Sequence, residues 1–217
     1  DNITLDANGN VGIGTSSPTQ LLHVSGASEP MIRVTNTAMA GSPFFEFGMN
    51  NGNNAALFHT TSGKDIKFYN GQYAMTLDSA GRVTMPYQPS FAASLNTGNT
   101  AGNSADIAFN LVRHNIGNHY NSGSGYFTAP VAGVYSFNLS VMSNNAITQN
   151  NVHYLIMLNG AELQHSYSSS GGGFHHKWNW NGHIQLNAND TININTAGFQ
   201  MYGGDARYSW FSGHLLG

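Results

Sequence analysis

The sequence predicts an all-β fold. Three observations support this class: no segment carries a sustained apolar period of 3.6 residues, several segments alternate apolar and polar side chains, and turn dipeptides separate those segments. Only 8% of the 217 residues are charged while 12% are aromatic, so the chain is polar without having the composition of a disordered protein. No window approaches the roughly 18 apolar residues of a membrane helix, and we expect no membrane insertion.

The first predicted elements are two similar hairpins. Residues 4–11, TLDANGNV, recur as residues 76–83, TLDSAGRV. Each copy predicts a strand, a D-x-x-G turn whose glycine supplies a positive φ, and a second strand.

The glycines of residues 9–14, GNVGIG, look like a phosphate-binding loop. However, no amphipathic helix follows them, and their spacing is the reverse of the dinucleotide fingerprint. Glycines at alternate positions of an extended segment let backbones approach closely, as around a crowded symmetry axis. We therefore expect a structural role for these glycines and no nucleotide.

Four further strands are predicted in the second half of the chain. Residues 131–141, 176–186 and 191–195 alternate apolar and polar side chains, as a half-buried antiparallel strand requires. Residues 152–158, VHYLIML, are apolar on both faces, so we expect a second surface to cover this strand, for which a neighbouring subunit is one candidate. The dipeptides Asn159-Gly160 and Asn189-Asp190 predict turns. The side chains expected on apolar faces are Val131, Tyr135, Phe137, Leu139, Val141, Trp178, Trp180, Ile184 and Leu186.

Charge and cysteine content exclude several kinds of partner. The net charge is −3, and the seven basic residues are scattered, whereas a nucleic-acid site needs clustered Lys and Arg. The chain has no cysteine, which excludes a disulfide framework and a thiolate metal site. We expect no nucleic acid partner and no cofactor.

Residues 6–26, DANGNVGIGTSSPTQLLHVSG, resemble a motif common in bacteriophage tail fibres and related trimeric adhesins. Residues 69–83, YNGQYAMTLDSAGRV, resemble a strand-turn-strand unit of the same family. The resemblance implies that residues 1–86 form a β-rich shaft or connector of a trimeric fibre.

The second half resembles the C1q-type jelly roll, the head domain of the C1q and tumour-necrosis-factor group. The matching motifs occur in family order at residues 118–141, 158–160, 186–195 and 211–216. Asn189 stands where the family usually has glycine, which a turn tolerates. The resemblance implies that residues 87–217 form a jelly-roll head and that the protein is a homotrimer.

Together the two resemblances imply an extracellular receptor-binding protein at the tip of a virion tail fibre. It would attach the virion to a host-surface polysaccharide or another receptor without catalysing a reaction. Its N-terminal side would join other tail-fibre or baseplate proteins. Three alternatives remain open: a structural trimerisation cap, a polysaccharide depolymerase with a site between subunits, and a bacterial adhesin of the same architecture.

The C1q-type topology places three loops at the far tip of the head, residues 143–151, 168–173 and 198–206. Their Asn, Ser, Gly, Gln and Tyr content is similar to that of an antibody paratope, where small polar residues give adaptable hydrogen bonds and Tyr gives rigid contact area. The alternative is that they are ordinary solvated turns. The predicted receptor contacts are Asn144, Asn145, Gln149, Asn151, Gln200, Tyr202 and Asp205.

Two other groups allow a functional and a structural interpretation. Trp178 and Trp180 have the register of the apolar face, which favours a place in the core over a sugar-stacking platform. The histidines at 165, 175, 176 and 183 are candidate metal ligands on a three-fold axis, but no H-x-H or H-E-x-x-H spacing occurs. We therefore expect no metal site.

The acidic residues argue against an enzyme. A glycosidase usually needs two carboxyl groups roughly 5–10 Å apart. From Tyr87 onward the acids are Asp106, Glu162, Asp190 and Asp205, and the sequence does not pair them. No nucleophile-elbow motif occurs either, so we expect no catalytic residues.

Overall fold

The computed structural model describes residues 3–27, 30–41, 43–50, 55–96, 105–143, 152–168, 175–197, 201–203 and 205–217. These residues form strands, turns and bends and no helix, which confirms the all-β prediction. None of them forms a helix long and apolar enough to cross a membrane. The chain divides into two compact units, Asp1–Pro86 and Tyr87–Gly217.

The described part of the first unit forms three small sheets of three strands each, in the orders β1-β2-β3, β4-β5-β6 and β7-β8-β9. The strands are β1 (Ile3–Leu5), β2 (Val11–Ile13), β3 (Leu22–Val24), β4 (Met31–Thr35), β5 (Phe44–Asn50), β6 (Ala55–Thr60), β7 (Ile66–Tyr69), β8 (Tyr73–Leu77) and β9 (Val83–Thr84).

Both predicted D-x-x-G hairpins are present, and their turns are built alike. Asp6 Oδ1 accepts hydrogen bonds of 2.9 Å from the backbone N–H groups of residues 8 and 10, and Asp78 Oδ1 does the same for residues 80 and 82. Gly9 and Gly81 have φ of 82° and 83°, where a side chain would be strained. Backbone hydrogen bonds hold the pKa of each aspartate below its ordinary value. The repeat is therefore a carboxylate-anchored turn used twice.

Gly12, within β2, and Gly14, just after it, are crowded by their own chain. A Cβ on Gly12 would lie 2.5 Å from the carbonyl oxygen of Thr15, and one on Gly14 would lie 2.0 Å from that of Ser25. The second contact arises because β2 pairs in parallel with β3. The expectation of close backbone approach is confirmed, but the partner is the same chain, so no symmetry axis is needed to explain it.

The first unit buries little apolar surface. All the buried hydrophobic side chains of the described residues belong to the second unit. On the β4-β5-β6 sheet, Val34, Phe47 and Phe58 lie on one face and are 69%, 44% and 71% exposed. Glu46, on the opposite face, is buried and accepts from Arg33 Nε at 2.7 Å.

The second unit is a sandwich of two antiparallel sheets. One has the order β12-β10-β20-β15-β18, and the other has the order β13-β14-β19-β16-β17 with β11 also paired to β19. Its strands are β10 (Ser90–Ser94), β11 (Ala105–Asp106), β12 (Leu111–Ile116), β13 (Tyr120–Asn121), β14 (Tyr126–Thr128), β15 (Gly133–Met142), β16 (Val152–Leu158), β17 (Ala161–Ser168), β18 (Lys177–Leu186), β19 (Thr191–Ala197) and β20 (Trp210–Leu215). The connections between sheets give the jelly-roll arrangement that the sequence predicted.

The core of the sandwich confirms most of the predicted apolar face of β15. The side chains of Tyr135, Phe137, Leu139 and Val141 are buried between the sheets. Val131 was predicted wrongly: it precedes the strand and is 47% exposed, and its carbonyl oxygen accepts a hydrogen bond from the Tyr135 hydroxyl. The alternation of buried and more exposed side chains therefore begins only at Gly133, where β15 starts.

The two predicted core tryptophans lie at the edge of the core. Trp178 and Trp180 are half-buried and pack against the core cluster. Trp178 stacks on Tyr154 with ring centroids 4.8 Å apart, and Trp180 Nε1 donates to Gln164 Oε1 at 2.7 Å. Since β18 belongs to one sheet and β16 and β17 to the other, these contacts join the two sheets along one side of the sandwich. Both tryptophans thus pack against the core, as their register predicted, but at its edge.

The predicted double-sided strand has one fully buried face. Tyr154 and Ile156 of β16 are buried in the core, whereas Leu155 and Met157 on the other face are half-buried. The expectation that a neighbouring subunit covers this second face remains a prediction.

Candidate functional site

The strand register brings strand ends of both sheets together at one end of the sandwich, here called the distal end. In the first sheet, Ser94 pairs with Trp210 and Met142 pairs with Lys177. In the second sheet, Val152 pairs with Ser168, His153 with Ala197 and Ala105 with Thr196. The Tyr154–Trp178 stack joins the two sheets near these ends. The opposite, proximal end carries both termini of the unit, since Leu215 N–H donates to the carbonyl of Pro89 at 3.0 Å.

The strands that flank the three predicted tip loops all terminate at the distal end. Most of the predicted contact residues lie outside the described residues, namely Asn144, Asn145, Gln149, Asn151 and Gln200. Their role as receptor contacts stays a prediction. Tyr202 and Asp205 are described.

The strand ends that flank a fourth segment, which the sequence reasoning missed, also lie at the distal end. Ser94 and Ala105, which flank residues 95–104, both lie there. The signal was present in the sequence, because residues 96–104, NTGNTAGNS, have the same Asn, Gly, Ser and Thr content as the predicted loops.

Tyr202 is the centre of a small aromatic group at the distal end. Its ring meets His175 edge-on at 5.1 Å between centroids and Tyr208 edge-on at 5.5 Å. Tyr202 is half-buried, and Tyr208 is 39% exposed. The three rings therefore form a partly exposed surface of the kind that stacks on the apolar face of a ligand.

The backbone beneath this group is held by hydrogen bonds to the core strands. Tyr202 N–H donates to Met142 O at 2.8 Å, and Met142 N–H donates to Ser209 Oγ at 3.1 Å. Ser143 is buried and forms a β-bridge with Met201, which is also buried. These contacts fix the position of the backbone that carries the aromatic group.

Asp205 does not present a free carboxylate. Both of its oxygens accept from Arg207 Nε at 2.9 Å, one oxygen also accepts from Arg207 Nη2, and its Oδ1 caps the Arg207 N–H at 2.9 Å. The Arg207 guanidinium holds the pKa of Asp205 below its ordinary value. The Arg207 side chain is 79% exposed, so Arg207 is the charged group that a ligand would meet.

The histidines named as metal candidates do not converge. His175 Nδ1 contacts Ser143 O, His165 lies on β17 beside His153, and His183 is exposed on β18. In the part of the chain that the structure describes, no three His, Asp or Glu side chains are grouped so that they could hold a metal ion.

The four acidic residues of the second unit lie in four separate hydrogen-bonded groups. Asp106 accepts from Tyr126, Asn193 and Asn195, and its hydrogen bond raises the pKa of Tyr126. Asp190 caps the turn at Asn187 and contacts Asn159, while Glu162 contacts His165 and Asp205 contacts Arg207. No two of these four carboxyl groups share a hydrogen-bond partner in the described residues.

Known proteins are similar in sequence to the second unit. The family model described as the C1q domain matches residues 90–216. The Mus musculus and Homo sapiens proteins named complement C1q tumor necrosis factor-related protein 3 are each 33% identical over 129 residues, or 59% of this chain and 51% of theirs. Caprin-2 of Danio rerio is 30% identical over 110 residues, covering 51% of this chain and 12% of that protein. The chain spans about half the length of the first two relatives.

Solved structures are also similar. The globular domain of zebrafish complement 1qA protein matches with 18% identity and a TM-score of 0.48, covering 60% of this chain and 98% of that one. Eiger TNF from S. frugiperda matches with 11% identity and a TM-score of 0.47, covering 60% and 93%. None of these names refers to a phage fibre, so the tail-fibre resemblance of residues 1–86 finds no support among them. The C1q-type expectation is confirmed, because the family model covers more than half of the sequence: this chain belongs to the C1q domain family.

Proposed function

We propose that this chain forms a homotrimeric, extracellular binding protein whose C1q head contacts its ligand at the distal end without catalysing a reaction. The observation that carries the proposal is the partly exposed ring group of His175, Tyr202 and Tyr208, with Arg207 beside it in sequence. Aromatic faces and a guanidinium suit a sugar ring with hydroxyl or acidic groups. A surface glycan is therefore the favoured ligand class.

The exposed apolar surface of the first unit supports the homotrimer. An 86-residue unit whose described part buries no large apolar side chain lacks the hydrophobic burial that normally offsets chain entropy. Contiguous exposed apolar faces usually mark an interface. The face that carries Val34, Phe47 and Phe58 is completed when copies of the same chain pack against one another.

Attachment of a phage to its host is the narrower form of the proposal. It rests on the resemblance of residues 6–26 and 69–83 to tail-fibre motifs. In this setting, three weak sites per trimer and several trimers per particle would multiply a modest affinity through effective concentration.

Binding of the purified full chain to glycan arrays and to bacterial cells tests the proposal. Tyr202→Ala should reduce binding at least about tenfold, because it removes the central ring of the group. Tyr87→Ala is the matched control, since Tyr87 is an exposed tyrosine near the proximal end, two residues before Pro89. Light scattering and thermal melting establish that both variants keep the assembly and fold of the wild type.

Each outcome has a distinct meaning. Loss of binding in Tyr202→Ala with retention in Tyr87→Ala supports a distal ligand site. Equal binding by all three proteins refutes that location. If the wild type binds no glycan and no cell, the binding proposal is refuted and the structural-cap alternative is favoured. If it releases reducing sugar from a bound polysaccharide, the non-enzymatic proposal is wrong.

A further inference from the structure

Two histidines meet on the outer face of the second sheet and belong to a different group from the distal aromatic rings. His153 of β16 pairs in register with Tyr167 of β17, and His165 pairs with Leu155, so the two histidines are diagonal neighbours on one face. Their ring centroids are 4.7 Å apart, and His153 Nδ1 is in hydrogen-bond contact with His165 Nε2. The Tyr167 ring flanks His153 at 5.4 Å between centroids.

A bulge brings a carboxylate to the same face. Glu162 and His165 are three residues apart, so in a regular strand they would point to opposite faces. The register shifts between Ile156 and Met157, so that Glu162 pairs with Met157 and His165 pairs with Leu155. As a result, Glu162 Oε1 lies 3.0 Å from His165 Nδ1.

The carboxylate fixes which nitrogen of His165 is available. A hydrogen bond to Glu162 keeps the proton on Nδ1, which leaves the lone pair on Nε2, the atom that faces His153. A carboxylate behind a histidine is the usual support of a metal-ligating imidazole, because it orients the ring and raises its basicity. His153 Nδ1 supplies the second lone pair when its proton moves to Nε2.

We infer that His153 and His165 form a two-imidazole site for a late first-row divalent cation, with Glu162 as the supporting carboxylate and water in the remaining positions. Imidazole ligands favour Cu²⁺, Ni²⁺ and Zn²⁺ over Mg²⁺ and Ca²⁺, and Cu²⁺ binds most tightly of these. Metal–nitrogen distances of about 2.0–2.1 Å hold the two nitrogens roughly 2.9 Å apart in the tetragonal geometry of Cu²⁺ and roughly 3.3 Å apart in the tetrahedral geometry of Zn²⁺. In the single chain the rings have room to open to that separation, since the His165 and Glu162 side chains are 38% and 49% exposed. The site therefore requires that no neighbouring subunit covers this part of the face.

Titration of the tag-free full chain with Cu²⁺ tests the site. Calorimetry measures the affinity and the number of ions bound, and electron paramagnetic resonance counts the nitrogen ligands. The wild type should bind one Cu²⁺ per chain at this site, with splitting from two imidazole nitrogens. His165→Ala and His153→Ala should each lower the affinity at least about tenfold and leave splitting from one nitrogen. Glu162→Gln should lower it by about tenfold while keeping both nitrogens, because supporting groups typically contribute 10–100-fold.

His183→Ala is the control, because His183 is an exposed histidine on the other sheet. It should bind Cu²⁺ like the wild type, and thermal melting checks that every variant is folded. The inference is overturned if the wild type shows no two-nitrogen signal, or if that signal survives in both His153→Ala and His165→Ala. The measurement is independent of glycan binding, so its failure leaves the proposed function untouched.

Discussion

At the scale of single residues, Phe91 organises the core of the head. Its ring lies within 4.6–6.5 Å, between centroids, of the rings of Tyr120, Phe127, Phe137 and Phe211, which come from strands of both sheets. Gly213 makes room for this cluster, because a Cβ there would lie 2.5 Å from the Phe137 ring and 2.9 Å from the Phe91 ring. The aromatic content of the sequence is thus used mainly for packing.

Phe91→Ala should lower the free energy of unfolding of the head by about 3–5 kcal/mol, because it removes a large buried ring and leaves a cavity. Chemical denaturation followed by tryptophan fluorescence measures this. Val131→Ala, at a 47% exposed position, should change stability by less than about 0.5 kcal/mol. Similar losses in the two variants would contradict the assignment of Phe91 to the core.

Asp190 makes the stability of the fold depend on pH on the acid side. The Asn159 side chain and the Asn187 N–H hold the pKa of Asp190 below its ordinary value. Because the folded-state pKa is depressed, the carboxylate stabilises the fold above the unfolded-state pKa near 4, and this contribution is lost as the pH falls through the lower folded-state value.

Asp190→Asn should therefore weaken the pH dependence of unfolding on the acid side. Denaturant midpoints measured from pH 7 to pH 3 should fall less steeply for the variant than for the wild type, although the variant starts from a lower midpoint at pH 7. Parallel curves would mean that Asp190 contributes nothing to acid stability.

At the scale of elements, the β16–β17 hairpin combines a tight turn with a bulge. Asn159 and Gly160 have φ of 51° and 77°, the left-handed pair of a type I′ turn that the Asn-Gly dipeptide predicted. The bulge opposite Ile156 and Met157 then shifts the register, which is why Glu162 can reach His165.

Gly160→Ala should destabilise the head by about 1 kcal/mol, because an L residue at this φ is strained although no atom lies near the added Cβ. Gly217→Ala is the matched control, since it also has no atom within 4 Å of its Cβ and no positive φ. Thermal melting of both variants separates the backbone effect from any effect of the methyl group.

At the scale of the whole molecule, the two units differ in how they bury apolar surface. The second unit encloses an aromatic core within one chain, whereas the described part of the first unit leaves residues such as Phe58 71% exposed. A unit of that kind gains stability when identical copies cover the exposed face.

Light scattering should give the full chain a mass of about 70 kDa, three times 23.2 kDa. Phe58→Asp should lower that mass or the melting temperature of the assembly, because it places a charge on the apolar face. Gln20→Asp, at an exposed position in the turn before β3, adds the same side chain on a different sheet and should have neither effect. A stable wild-type species of 23.2 kDa would refute the homotrimer.

The sequence by itself determined the features that depend on neighbouring residues. Alternation along β15, the D-x-x-G turns with a positive φ at Gly9 and Gly81, and the Asn159-Gly160 turn are all local, so residue type and spacing were enough to predict them. The hydrogen bonds that Asp6 and Asp78 accept were seen only in the structure. The distal location of the loops came from family resemblance, and the strand ends that flank them lie there as expected.

Only the tertiary structure decided which side chains meet across strands. The pairing of Asp205 with Arg207 is local, but the group of His175, Tyr202 and Tyr208 joins two different loops. The contact of His153 with His165 and Glu162 depends on strand register and on one bulge. A shift of one residue moves a side chain to the opposite face of a sheet, and residue spacing alone does not fix that register. The two proposed sites therefore became visible as groups only after the strands were paired.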